Sequence, residues 1–398
     1  MGAPTGGGPA TVRAVRVLLG CSMGGLGHLT PIVTVARALQ RGGHDTLIVA
    51  PPGLATAGAA DTGLAFRAGG EPPEAVTQGI WRRVEAGPPE EVAGLIDREL
   101  FAGLALDAML PTMQQVAEEW RPDWVIREPC EWSSAVVAAD REIPQAQVAI
   151  SLATIEAGVL DMVAPRLDHY HSGLAAQLRE RPYLSRFPAS LDPSSWPLTV
   201  RFHEPAAPAR PLPDWWPGDD RPLVYLTFGT VTAHTPVAQA AYRVATDAAA
   251  AMDARVLLTV GRVFDAAQLG PLPDNLHIEA WVPQTDVLAV ADAVVGHGGS
   301  GTTFGALAAG VPQVVVPLFA DQPRNGALVE AAGAGVVVGG ASGGVRTLEP
   351  GDAVRIAEAV AEVLASPAYR HGAGRVAAEM AATPTVDAVV DELLGAAQ

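Results

Sequence analysis

Between Trp281 and Gln322 the chain reads WVPQTDVLAVADAVVGHGGSGTTFGALAAGVPQVVVPLFADQ, and its chemistry-bearing residues stand where apolar runs give way to loops. Trp281 offers a flat apolar face that could cover a nucleobase, and Val282-Pro283-Gln284 come directly after it. His297 ends an apolar run, and Gly298-Gly299-Ser300-Gly301-Thr302 leads from it into a helical pattern. Glycines let the backbone approach a ligand closely, and unpaired N–H groups at a helix start favour phosphate oxygens. A histidine beside them can donate to a diphosphate, and Asp321-Gln322 suits sugar hydroxyls. Each feature alone has a plainer reading: a tight turn, a packed tryptophan, a helix start with Pro323 in its first turn. In this order they describe a nucleotide-sugar site. The stretch holds no group that could activate an attacking nucleophile.

His28, in Gly24-Gly25-Leu26-Gly27-His28-Leu29-Thr30-Pro31, is the candidate for that task. The loop comes after the first apolar run, Ala14 to Gly20, and Thr30 and Pro31 suit the N-cap and first turn of a helix running to Arg41. That puts the imidazole at the carboxyl edge of a sheet, where open α/β sheets bind ligands. Histidine is the commonest general base near neutral pH. The plainer reading is a histidine bonded to a local carbonyl.

The elements that would position these groups alternate throughout. Apolar runs at 14–20, 45–51, 64–67, 124–128 and 145–150 read as strands, with helical stretches at 91–120 and 133–141 between them. After a proline-dense segment the pattern restarts, with strands at 223–228, 254–260, 276–281, 293–296 and 313–318. Continuous apolar strands alternating with helices indicate α/β parallel sheets covered on both faces. The expected organisation is a disordered tail (1–10), a first domain (11–205), a Pro-rich linker (206–221) and a second domain (222–384). A last helix (385–398) could return to the first domain.

The 398 residues carry a net charge of −17, which argues against nucleic acid as a partner. There is no lysine at all, which excludes a Schiff-base or P-loop lysine. Only Cys21 and Cys130 are present, so neither a disulfide framework nor a cysteine-based zinc site is expected, and a reducing cytoplasm fits. The tract Asp168-His169-Tyr170-His171 matches no zinc spacing, so no metal is expected. No apolar stretch reaches the length of a membrane span. Oligomeric state is not readable, and a homodimer stays open.

The motifs WVPQ, HGGSGTT, GVPQVVVP and ADQ, with LTFGT at 226–230, resemble the donor signature of the GT-B small-molecule glycosyltransferases. The look is that of actinobacterial enzymes that decorate natural products, and it extends over nearly the whole chain. The resemblance implies two Rossmann-like domains facing across a cleft. It implies a hexosyltransferase that uses an NDP-sugar as co-substrate, needs no other cofactor and acts on a hydrophobic small-molecule acceptor. By the same resemblance Trp281 stacks on the base, and Val282 and Gln284 contact base or ribose. Thr230, His297, Gly299, Ser300, Gly301 and Thr302 hold the diphosphate, and Asp321 and Gln322 bind the sugar. The family keeps its base in GxGHxxP, which matches His28. It usually places a supporting carboxylate after a central strand, which here is Glu128; Glu131 is the second candidate, and an exposed loop carboxylate is the plainer reading of Glu128. Relatives that use UDP-sugars often carry a ribose-binding glutamate eight residues after the signature histidine. Gly305 stands there, which favours a deoxyribose donor such as a dTDP-sugar.

The implied reaction is an inverting transfer of a hexose or deoxyhexose, with His28 as general base. Rival readings are a sugar-nucleotide epimerase of the same architecture, which would turn over donor without acceptor, and a non-catalytic sugar-nucleotide or aglycone-binding protein.

Overall fold

The structure is a computed structural model that describes residues 14–395, apart from 24, 89, 90, 93, 206, 207, 231, 236 and 341–344. The expected tail at 1–10 and the first two residues of the expected linker lie outside the described residues.

The first sheet holds seven strands: β1 (Arg16–Gly20), β2 (Asp45–Ala50), β3 (Phe66–Ala68), β4 (Trp124–Arg127), β5 (Gln145–Val148), β6 (Tyr183–Ser185) and β7 (Thr199–Arg201). The second holds six: β8 (Leu223–Thr227), β9 (Arg255–Thr259), β10 (Leu276–Glu279), β11 (Ala293–Gly296), β12 (Gln313–Val315) and β13 (Gly335–Val337). The orders are β3-β2-β1-β4-β5-β6-β7 and β10-β9-β8-β11-β12-β13, and every pairing is parallel. This is the doubly wound GT-B architecture. Central strands such as Val17-Leu18-Leu19 and Val294-Val295 are sealed on both faces, as a parallel sheet between helical layers requires. Strands β6, β7 and β13 go beyond the sequence reading, because three residues beside proline or glycine carry no readable period.

Each order reverses once, between β1 and β4 and between β8 and β11. At such a switch point the connections leave in opposite directions and open a crevice at the carboxyl ends.

The first helix departs from expectation. It spans Leu26–Arg41, and Gly25, at φ 73°, takes the N-cap position instead of Thr30. Glycine tolerates that backbone without strain, and Pro31 in the second turn removes the bond to the Gly27 carbonyl. His28 therefore sits within the helix's first turn. The stretch expected as one helix at 91–120 divides into a π-helical segment, Gly94–Ala105, and an α-helix, Leu106–Trp120.

The domains share a core. Phe187 and Phe304 meet edge to face at 4.4 Å, with Val376 and Met380 in the same cluster. The chain returns to the first domain beside its exit: His203 N donates to Pro384 O at 2.9 Å and Val386 N to His203 O at 2.9 Å. The final helix, Val386–Gly395, buries Val386, Val389, Val390 and Leu394 in the first-domain core, and Arg41 forks onto Asp387 at 2.6 and 2.9 Å. Leu394→Ala should cost about 3 kcal/mol through the cavity it leaves, read as a lower denaturant midpoint. An unchanged midpoint would show that this helix does not stabilise the first domain.

Candidate functional site

The loops leaving β1 and β4 line the first crevice. Glu128, one residue past β4, is fully buried. Its Oε1 accepts Ser22 N at 2.8 Å and its Oε2 accepts Cys130 N at 2.7 Å. Oε2 also lies 3.2 Å from His28 Nδ1. The plain reading of Glu128 as an exposed carboxylate is thus overturned. The alternative, Glu131, is occupied elsewhere: its carboxylate accepts the N–H groups and both hydroxyls of Ser133 and Ser134.

His28 Nδ1 is sealed from solvent and close enough to Glu128 to pair, though not aligned for a hydrogen bond. Phe101 stacks on the imidazole with centroids 5.6 Å apart. Phe101 comes from the π-helical segment, an irregularity common at functional sites. Asp97, from the same segment, faces this region too; burial pushes its carboxyl up to about 6, against the opposing charge of His28. The Cys130 thiol completes the group. Donor atoms of His28, Glu128 and Cys130 all lie within 4.8 Å of one another. Burial, then the charge of Glu128, raises the thiol well above its ordinary range.

The loops leaving β8 and β11 line the second crevice. Two glycines make room for the His297 ring: a Cβ on Gly229 would lie 2.7 Å from its Cε1, and one on Gly299 2.4 Å from its Nε2. Gly229 also holds φ 72°, a backbone that side chains rarely adopt. Thr230 continues this loop. Burial pushes the His297 imidazole down to about 4, outweighing the opposing effect of Asp321. The ring is neutral at pH 7 and carries one N–H, for which the Thr227 carbonyl competes.

The helix Ser300–Ala308 opens at Gly299 without a side-chain cap, so its first N–H groups face the crevice unsatisfied by any cap. The Ser300 hydroxyl is spent on Asp321 Oδ2 at 3.0 Å. Thr302 Oγ1 accepts from Gln284 Nε2 at 3.2 Å, which leaves the threonine hydroxyl proton free to donate. Gly301 and Gly299 contribute backbone alone. Trp281 is 48% exposed, with the Arg262 guanidinium 5.6 Å from its ring centroid. Val282 is half-buried and packs on the core around Val287.

Asp321 stands at the N-terminus of the helix Gln322–Ala331, after Ala320 at φ 56°. Its Oδ2 gathers Ser300 Oγ, Asn325 Nδ2 at 3.3 Å and, from the loop after β5, Ser151 Oγ at 2.8 Å. Arg324 reaches Thr154 Oγ1 at 2.8 Å. The two carboxyl edges therefore face each other across one cleft. Gln322 is turned inward; its Oε1 accepts Leu318 N and Phe319 N, so only its amide end can meet a sugar.

Sequence reasoning missed Ser151 and Asn325 and gave no individual role to Gly229 or Phe101. Asn325 was findable, one helical turn after Asp321; Ser151 carries no local signal. Among the described residues no helix is long and apolar enough to cross a membrane.

Residues 243–395 match the family described as erythromycin biosynthesis protein CIII-like, C-terminal domain. The chain is 32% identical over 399 residues to the L-demethylnoviosyl transferase of Streptomyces niveus, covering 96% of this chain and 98% of that one. It is 30% identical over 335 residues to the TDP-daunosamine transferase DnrS of Streptomyces peucetius, covering 75% and 74%. Among solved structures, the spinosyn rhamnosyltransferase SpnG superposes with a TM-score of 0.77 at 26% identity, over 96% of this chain and all of that one. SpnG has also been solved complexed with thymidine diphosphate.

The depressed His297 makes a stability prediction. The unfolded histidine binds a proton below its ordinary 6.5, and the folded one only below about 4. The unfolded state therefore gains protons first, and this contribution to stability, complete above 6.5, is lost as pH falls through that window. His297→Gln should lose less melting temperature than wild type between pH 7 and 4.5. Parallel pH profiles for the two proteins would contradict a neutral imidazole.

Proposed function

The chain belongs to the GT-B natural-product glycosyltransferases, and from that premise we propose an inverting transfer from an NDP-sugar, dTDP favoured over UDP, to a hydrophobic small-molecule acceptor. The observation that carries this reading is the buried Glu128 carboxylate 3.2 Å from His28 Nδ1, across the cleft from the helix at Ser300.

With Nδ1 turned to Glu128, the distal ring nitrogen, Nε2, is the one left to take a proton. The acceptor hydroxyl gives its proton to Nε2 as its oxygen attacks the anomeric carbon on the face opposite the diphosphate. Glu128 stabilises the imidazolium that forms, in the manner of a triad carboxylate. The bond to the diphosphate breaks, and negative charge grows on the leaving oxygens. The first-turn N–H groups of the helix Ser300–Ala308, the Thr302 hydroxyl and the His297 N–H are suited to receive that charge, which is greatest in the transition state. These groups suffice for the leaving group without a metal. Trp281 covers the base, and the free oxygen of Asp321 with the amide of Gln322 meets sugar hydroxyls.

The donor preference rests on Gly305 and Gln284. A Cβ at Gly305 would lie 3.1 Å from Gln284 Oε1, so the glutamine fills the space beside the missing glutamate. One carbonyl oxygen there can serve one ribose hydroxyl, as a deoxyribose presents. The relative named for a TDP-sugar and the thymidine diphosphate complex of SpnG support the same preference.

His28→Ala should lower the single-turnover transfer rate by at least about a hundredfold, and near-full activity on a hydroxyl acceptor would remove it as the base. By titration calorimetry dTDP should bind roughly tenfold more tightly than UDP, about 1.4 kcal/mol. Tighter UDP binding would overturn the donor assignment.

A further inference from the structure

We propose that His28, Glu128 and Cys130 form a latent site for a thiophilic divalent cation such as Zn²⁺, and that its occupancy switches transfer off. The inhibition rests on the reading of His28 as the base; the binding does not.

Three observations carry the site. An imidazole nitrogen, a carboxylate oxygen and a thiol sulfur lie within 4.8 Å of one another, a mixed N/O/S set of the kind zinc accepts with a water as fourth ligand. His28 Nδ1 is sealed from solvent without an aligned hydrogen-bond partner, so a cation could claim it at little cost in existing bonds. The neighbouring Glu131, which could compete for the cation, is saturated by Ser133 and Ser134. One thiolate and one carboxylate also cancel the cation's charge, which a buried pocket demands.

Proton balance dictates the consequence. On forming the sulfur–metal bond, Cys130 releases its proton to solvent. On forming the nitrogen–metal bond, His28 commits its Nδ1 lone pair, and the ring's single proton moves to Nε2. That nitrogen is the one that must accept the acceptor's proton, so the bound cation holds the base in its unreactive tautomer. Cys130 itself is outside the transfer chemistry. Only its backbone N–H meets Glu128, and a Cys130→Ala chain keeps that group.

The test uses the full chain with Co²⁺ as spectroscopic probe and Zn²⁺ as inhibitor. Wild type should bind one Co²⁺ per chain with a thiolate charge-transfer band, and Zn²⁺ should inhibit transfer reversibly on adding EDTA. Cys130→Ala should keep basal transfer within about twofold, lose the band and raise the half-inhibitory Zn²⁺ concentration at least about tenfold. Cys130→Ser serves if the alanine chain folds poorly, and Cys21→Ala should keep the band. Absence of the band in wild type, or equal Zn²⁺ inhibition in Cys130→Ala, would overturn the site. A Cys130-dependent band without inhibition would overturn the switch and count against His28 as base, while leaving the cation site standing.

Discussion

A carboxylate removed entirely from water must be met by donors, and Glu128 is met by donors from both sides of the first switch point. Ser22 N–H comes from the loop after β1 and Cys130 N–H from the loop after β4, and the His28 imidazole, on the helix that β1 feeds, lies 3.2 Å from the same carboxylate. Leaving such a group without one partner costs roughly 3–5 kcal/mol where buried pairs have been broken. The same carboxylate therefore holds the two loops together and fixes which nitrogen of His28 faces inward. The early helix start at Leu26 sets His28 in the first helical turn, where it meets Phe101 and Glu128.

The second domain repeats the logic with different chemistry. Its switch point holds a neutral imidazole seated between two glycines, and its charged hub is Asp321, whose Oδ2 collects Ser300, Asn325 and Ser151. Because Ser151 belongs to the first domain, this hub also ties the cleft across its width. Both hubs stand at the carboxyl edge beside an order reversal, so the parallel topology sets His28 and His297 at the edges of one crevice. The shared core at Phe187 and Phe304 fixes the distance between the sheets.

Much of this was legible in the residues. The donor stretch announced itself because its glycines, histidine and Asp-Gln pair stand at strand ends in one continuous segment, and the apolar runs marked every strand except β6, β7 and β13. What stayed hidden was non-local or irregular. Phe101 and Asp97 depend on a π-helical segment that reads as ordinary helix in sequence. Ser151 meets Asp321 across 170 positions. The resemblance put Glu128 ahead of Glu131, but nothing in the residues themselves excluded the second, since that turned on two serines closing its carboxylate. Gln322 carried the right type for a sugar ligand, yet spends its oxygen on its own loop.

In the proposed reaction the buried carboxylate works through His28 on chemistry, not on donor binding. Glu128→Gln keeps the side chain's size and removes its charge, so the decisive comparison is its single-turnover transfer rate beside its nucleotide dissociation constant. The expected result is a rate at least about a hundredfold lower, with nucleotide affinity unchanged. A rate within a few-fold of wild type, or a loss confined to nucleotide affinity, would contradict the paired base.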